Sequence, residues 1–549
     1  MGDFLYNQMK THRGAMKQMK KILCGHFGGL NALILIAYTT LIVTAQAFGS
    51  GQLSLPGALS VSFGALLVSA VLGPIVLRLL SGINACPRSR KEPLLLGVLI
   101  NGWFYLIPLA VFTVYFIGCF PGGYSVDSCD QYIQAIQNQY DDWHPVLHTL
   151  LAFEIPLTLT KGWLGSVVLV QSLCFCAVIG YTCQVIRKHF GILPAAITMG
   201  WILLNPVVML TAMHPWKDVG FAICALLLAA YALQTVVSKG AWLHRPFNMI
   251  CFVIVAAVAS IIRHNGILFT LPVILGVALC LDWKRAVAVG FCVVLLFGAV
   301  KGPVYSILKV EDPDRRQVEM LGLPMAVIGA VATESPELLD EETKTFIYQV
   351  TPKEVLEREY EFGSFNSFKL EPETDLEVIE QYGAVKVLSM ALRCFMADPK
   401  TAFRSVMTLT GRLFTLKDAY TGYVYPQVTN NPYGIEQTGN KRLFKLYTTY
   451  ADNIFQYVPA VFMYLGIMHL ILVTALLAKI KLKRRGDFAK LSIVLSVFCY
   501  NFGSGLLLSD WQDIFRFFFY TFPLMPVLLL IIFCNQKERS KPLFAWFKK

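Results

Sequence analysis

"LLLGVLINGWFYLIPLAVFTVYFIG", residues 94–118, contains no charged side chain, and "PGGYSVDSCDQYIQAIQNQYDDWHPVLHTLL", residues 121–151, follows almost at once with Asp127, Asp130, Asp141, Asp142, His144 and His148. The first stretch is long enough to cross a bilayer as a helix. The second is too polar to enter one. A greasy span feeding an acid-rich loop sets the fold class as an all-α polytopic membrane protein with polar chemistry at the membrane surface.

The rest of the chain repeats the pattern. Its 549 residues are 56% hydrophobic and 15% charged, with a mean hydropathy of +0.57. About twelve spans are predicted, at 28–48, 57–80, 94–118, 163–186, 191–213, 219–237, 248–262, 267–281, 286–305, 456–478, 489–509 and 517–534. The net charge of +12 does not indicate nucleic acid, because the basic residues fall in short clusters beside apolar runs. These lie at Lys10 to Lys21, Arg88/Arg90/Lys91, Arg187/Lys188, Lys239/Arg245, Lys284/Arg285, Lys479 to Arg485 and Lys537 to Lys541. They mark every second connection and assign those loops and both termini to the cytoplasm of a multi-pass plasma-membrane protein. The first span ends in Ala45-Gln46-Ala47 but is long for a signal peptide, so it reads as an uncleaved anchor. Cysteines such as Cys174, Cys176, Cys224 and Cys292 lie in apolar runs as small core residues, with no disulfide framework or zinc spacing.

By this alternation the outer connections are 49–56, 119–162, 214–218, 263–266, 306–455 and 510–516. Three regions follow: a transmembrane region over 1–305 whose first long outer loop, 119–162, is the catalytic candidate; an extracytoplasmic domain over 306–455; and a C-terminal transmembrane region with a cytoplasmic tail over 456–549. The 306–455 segment holds 22 of the 35 acidic residues. Within it "PELLDEETKTFIYQV" and "PKTAFRSVMTLTGRLF" have helical spacing, whereas "DAYTGYVYPQVTNNPYG" reads as a loop, in position to face glycan. No internal repeat is visible, which weighs against a carrier built from duplicated halves.

On a helix, Asp127, Gln131, Gln134 and Asn138 share one face, and Tyr132, Ile133, Ile136 and Tyr140 another. This predicts an amphipathic helix lying on the membrane with its polar side up. Pro145 suits the first turn of a second helix, on which His144 and His148 stand one turn apart. The stretch contains no Lys or Arg, so its carboxylates have no local partners. Taken singly, Asp130, Asp141 and Asp142 read as solvated. The His144/His148 pair has metal-ligand spacing but lacks the glutamate of a His-Glu-x-x-His site, so a structural or substrate contact is favoured. His214, Lys217 and Asp218 in "MHPWKDVG" read equally as an interfacial anchor. Arg263 with His264 and Asn265 in "IIRHNGIL" sits at a tight turn between apolar helices, where a cation is usually paired or functional. For Arg516 in "DWQDIFRFFFYTFP" the plain reading is an ion pair with Asp510 or Asp513.

An aspartate just after a span, an amphipathic loop and a His-Pro opening a second helix together resemble the first extracytoplasmic loop of the GT-C superfamily. These polytopic glycosyltransferases, among them protein O-mannosyltransferases and bacterial aminoarabinose transferases, use polyprenyl-phosphate sugars. "WKDVGFA", "RHNG" and "FRFFFYTFP" add to the likeness, and the loop also resembles that of a group of uncharacterised bacterial membrane proteins with an "Asp … Gln … HisPro … HisThr" pattern. The resemblance covers roughly 94–281 and 489–534. Two features depart from it: the mannosyltransferases have an Asp-Glu pair where this chain has "VDSCDQ", leaving Asp127 or Asp130 as counterpart, and two extra spans precede the loop.

The resemblance implies an inverting, GT-C-like transferase of a bacterial plasma membrane, moving a sugar from a polyprenyl-phosphate donor to an envelope glycan, lipid or protein acceptor on the outer face. Such transfer needs a base for the acceptor hydroxyl and cations for the departing phosphate. Asp127 is the favoured base, with Asp130 in reserve; crowding and desolvation should raise its pKa. Gln131, His144, His148, Lys217, Asp218, Arg263, Asn265 and Arg516 are the substrate-binding candidates. Membrane lipids are partners, no cofactor or metal ligand set is assigned, and a divalent metal stays open. The alternative is a twelve-span transporter or lipid-linked glycan flippase. A ligase or polymerase of envelope glycans shares the site logic and differs in its donor.

Overall fold

The structure, a computed structural model, describes residues 29–49, 55–87, 94–311, 316–414, 425–457 and 464–534. The basic clusters at Lys10 to Lys21, Arg88 to Lys91 and Lys537 to Lys541, part of the 49–56 connection and the start of the 456–478 span lie outside the described residues. Helices dominate, and among the described residues there is no strand, only two isolated bridges.

A helix, continuous or broken, stands at each of the twelve expected positions. Among the described residues five are long and apolar enough to cross a membrane: Gly97–Cys119, Gly165–Phe190, Lys217–Val237, Trp283–Ile307 and Ile514–Phe533. Shorter apolar helices include Leu33–Ala45, Ile192–Leu203, Pro246–Ile261, Ile267–Ala278 and Leu465–Lys479. The 191–213 span is not continuous. Ile192–Leu203 stops, and the Asn205 side chain caps Pro206–Thr211 by accepting from the Val207 and Val208 amides at 3.0 and 3.4 Å. Pro206 fits the first turn of the new helix but would break the interior of a longer one.

Lys217–Val237 lies at the centre of the bundle. Its Ala222, Ala225, Ala229, Ala230 and Ala232 are all buried, and such small side chains let neighbouring helices approach closely, the main source of helix packing in lipid. Trp283–Ala299 has the opposite character: Val287, Phe291, Val294 and Leu295 are exposed, as expected of a lipid-facing helix.

The 306–455 segment has its own apolar core, built around Gly322–Glu334, in which every residue from Pro324 to Ala332 is buried. Asp340 caps Glu341–Val350, and Pro399–Thr410 follows its own Asp398 cap, so both stretches read as helical are helices. Of the expected loop over 418–434, residues 425–434 are irregular as read and 418–424 lie outside the described residues. That loop braces the start of the first long outer loop: the Thr429 amide donates to the Tyr124 carbonyl at 2.9 Å, and the Gly439 amide to the Phe120 carbonyl at 2.9 Å.

Candidate functional site

The acid-rich loop folds as the helix Val126–Gln137, a turn, and a second helix running from Val146 through a π segment, Thr149–Glu154, to Leu159. The two faces expected of the first helix are divided: Gln131 and Gln134 turn inward with Ser128 while Asn138 stays exposed, and Ile136 is half exposed while Tyr140 is buried. The physical reason is the second helix: the Gln131 amide donates to both His148 Nδ1 and Thr149 Oγ1 at 2.9 Å, and satisfying buried polar groups outweighs hydrating them at the surface.

The carboxylates that lack local partners find distant ones. Asp127 pairs with Arg516, 389 positions away. Arg516 reaches on through Nε to Asp218 at 3.2 Å, and Asp218 also pairs with Arg263. The result is a line of alternating charge, Asp127, Arg516, Asp218, Arg263, in which Asp218 and Arg263 are 1% and 6% exposed at the side chain. Asp510 accepts from Ser364 at 2.7 Å and caps the Gln512 amide, and the Asp513 side chain lies outside the described residues; among the described residues Arg516 joins the loops through Asp127 and Asp218.

Each member is held by its element. Asp218 lies in the first turn of Lys217–Val237, where the amide dipoles favour a carboxylate. Trp216 fixes the entry: its indole donates to Ser125 Oγ at 2.8 Å, its ring stacks on His214 at 3.9 Å, and the Arg516 guanidinium lies 4.5 Å above it. Arg263 is set over Phe517 at 4.7 Å and Tyr500 at 5.8 Å. Its turn needs Gly266, since a Cβ there would stand 2.1 Å from the Ala259 carbonyl oxygen.

Lys217 differs from the other cations. Its ammonium donates to His144 Nδ1 at 3.0 Å, and among the described residues it has no ion-pair partner. Because Nδ1 accepts, the His144 proton sits on Nε2; that atom and His148 Nε2 are both buried with no partner among the described residues. Burial, reinforced by Lys217, pushes both imidazoles down, His148 to about 3, so they are neutral donors at neutral pH. Among the described residues three cations, Lys217, Arg263 and Arg516, thus face two carboxylates, Asp127 and Asp218, in a recess lined by uncharged imidazoles.

The expected rise in Asp127 basicity is overturned. Burial does push its carboxyl up, but the charges of Arg516 and Lys217 outweigh burial and hold it below the usual carboxylate range. The rise occurs at exposed Asp130, through partial burial and then the charges of Asp127 and Asp141. Neither Asp141 nor Asp142 is simply solvated. Asp141 accepts from Gln134 at 3.1 Å and from the Trp143 amide at 2.9 Å. Asp142 is buried and pairs with Lys301 at 2.8 Å and with the Tyr305 hydroxyl at 2.7 Å.

Of the residues singled out from sequence, the structure therefore joins Asp127, Lys217, Asp218, Arg263 and Arg516, with His144, His148 and Gln131 alongside. Asp130 stands at the edge, and half-buried Asn265 lends the turn its backbone carbonyl, which accepts from the Leu268 amide. Trp216, Ser125, Tyr500 and Phe517 complete the surroundings. Among the described residues no three His, Cys, Asp or Glu side chains are placed to share a metal ion.

No family model matches the chain, and no curated protein matches it. Among solved structures the chain is similar to ArnT from Cupriavidus metallidurans, determined bound to undecaprenyl phosphate, at 14% sequence identity and a TM-score of 0.32, over 78% of this chain and 77% of that one. A likeness at that level fixes neither the fold nor the site.

Proposed function

We propose that the chain is a membrane-embedded, inverting glycosyltransferase that moves a sugar from a polyprenyl-phosphate donor to an envelope acceptor at the outer face of a bacterial plasma membrane. It crosses the membrane about twelve times and holds 306–455 outside. The observation that supports this reading best is Lys217, a cation with no carboxylate partner among the described residues, set beside Arg516 and Arg263. Among the described residues the recess sets three cations against two carboxylates, an excess of positive charge that a lipid-borne phosphate would complement.

In this reading the donor phosphate enters between Lys217 and Arg516 and draws Arg516 away from Asp127. The freed carboxylate, no longer held below its usual range, takes the proton of an acceptor hydroxyl. The hydroxyl oxygen forms its bond to the anomeric carbon as the bond from that carbon to the phosphate oxygen breaks. The electron pair leaves on the phosphate, where the cations and the imidazole N–H groups of His144 and His148 stabilise it. Asp218 takes no proton; it spaces the two guanidiniums.

Binding of polyprenyl phosphate to purified protein in nanodiscs tests the charge argument. Lys217→Met should weaken it by about tenfold or more, the scale of one charge-assisted contact, while Lys217→Arg should restore most of it. Equal binding by all three proteins would remove the support for a phosphate donor.

A further inference from the structure

At the C-terminal end of the lipid-facing Trp283–Ala299 helix, a cavity of about 690 Å³ opens between that helix, the first long outer loop and the 263–266 turn. Its back wall is a fixed network: Lys301 donates to both Asp142 oxygens, at 3.0 and 2.8 Å, and to the Tyr305 hydroxyl at 3.0 Å. Lys301 belongs to a π turn, Val300–Val304, whose extra residue shifts the phase of the helix and often marks a functional position. At the rim stand Lys309 and Glu311, both exposed and neither with an ion-pair partner among the described residues. Phe297 and Ile261 supply an apolar wall.

We infer that this cavity seats a zwitterionic lipid head group, a phosphate ester carrying a primary amine. A simple anion would meet Lys301 and Lys309 but also Asp142 and Glu311. A simple cation would meet the reverse. A head group with both charges satisfies the rim without uncovering the Asp142–Lys301 pair: its phosphate faces Lys309, its ammonium faces Glu311. The helix that carries the cavity exposes Val287, Phe291, Val294 and Leu295, and Ile307 beyond them, so acyl chains would lie along it. The site is distinct from the charge line at Asp127. Arg263 turns to Asp218, whereas its neighbour His264 lines this cavity. The inference does not depend on the transferase reading, since a carrier would hold the same lipid.

Native mass spectrometry of the full chain in detergent, titrated with dioctanoyl phosphatidylethanolamine, phosphatidylglycerol and phosphatidylcholine and with soluble O-phosphoethanolamine, tests it. Phosphatidylethanolamine should bind about threefold to fivefold more tightly than the other two lipids, the scale of one exposed charge pair. Glu311→Gln should erase that preference by weakening phosphatidylethanolamine, and should leave phosphatidylglycerol bound no more weakly than before. Lys309→Gln should weaken all three lipids by a similar factor. Both rim residues are exposed, so both variants should fold. Lipid binding well above that of O-phosphoethanolamine assigns the membrane as the source, equal binding assigns a soluble ester, and either result upholds the zwitterionic chemistry. Equal affinity for the three lipids, or a preference that survives Glu311→Gln, overturns it.

Discussion

Replacing Asp127 by Asn removes a charge and a proton acceptor while keeping the size of the side chain. The cost to the fold should be small. Asp127 and Arg516 are 31% and 16% exposed at their side chains, and in the variant Arg516 keeps its contact with Asp218, so no buried guanidinium is stranded. A pair this accessible is worth about 1 kcal/mol or less. That increment is present above the ordinary aspartate range near pH 4 and is lost as the pH falls through the lower value Asp127 has when folded, so the variant should lack it only above that range. The cost to transfer should be far larger, about 100-fold or more in the single-turnover rate, the scale of a positioned base. Donor binding should hold or tighten, because Arg516 is then freer to meet a phosphate. The unmodified protein adds a second check. Since Arg516 holds Asp127 down in the free protein and, in the proposed mechanism, is drawn away by the donor, the acid limb of kcat should lie at higher pH than that of kcat/KM. Quenched-flow transfer in proteoliposomes, normalised to folded protein, measures all of this. Near-normal turnover by Asp127→Asn, or coincident acid limbs, would refute the reasoning.

Asp218→Asn should behave oppositely, costing about 3–5 kcal/mol in thermal or denaturant unfolding because Arg263 loses its buried partner; a variant as stable as the parent would show that the charge line does not brace the fold. Arg263→Lys should lower kcat/KM by about tenfold or more, since Lys keeps the charge but loses the planar fork and its place over Phe517, and unchanged kcat/KM would leave Arg263 a structural anchor. Gly266→Ala should destabilise by about 1–3 kcal/mol, as its methyl group collides with the Ala259 carbonyl; unchanged unfolding would mean the turn moves freely.

The positions of the helices were legible because apolar runs of span length leave few alternatives; the break at Asn205-Pro206, missed by a continuous 191–213 span, had its signal in a capping residue followed by proline. The site was legible residue by residue but not as a circuit. "VDSCDQ", "WKD", "RHNG" and "FRFFF" could each be read as polar groups near a membrane surface, but nothing local says that Arg516 closes on Asp127 and Asp218. That pairing depends on helix packing across hundreds of positions, and it reverses the sign of the Asp127 shift that crowding alone suggested. The inward turn of Gln131 and Gln134 was hidden for the same reason, because amphipathicity gives two faces and not which of them meets protein. The Asp142–Lys301 pair had a usable signal: Lys301 is a lone cation within the apolar run 286–305, and such residues are usually paired or functional.

Sided transfer is the most direct test of the central claim. Purified protein would be reconstituted into vesicles of known orientation and supplied with radiolabelled polyprenyl-phosphate sugars and envelope extract. The expected result is a new glycosidic product formed only where 306–455 faces the donor, lost in Asp127→Asn and reduced in Lys217→Met. Movement of the intact donor across the membrane without any new glycosidic bond, unaffected by either substitution, would contradict it.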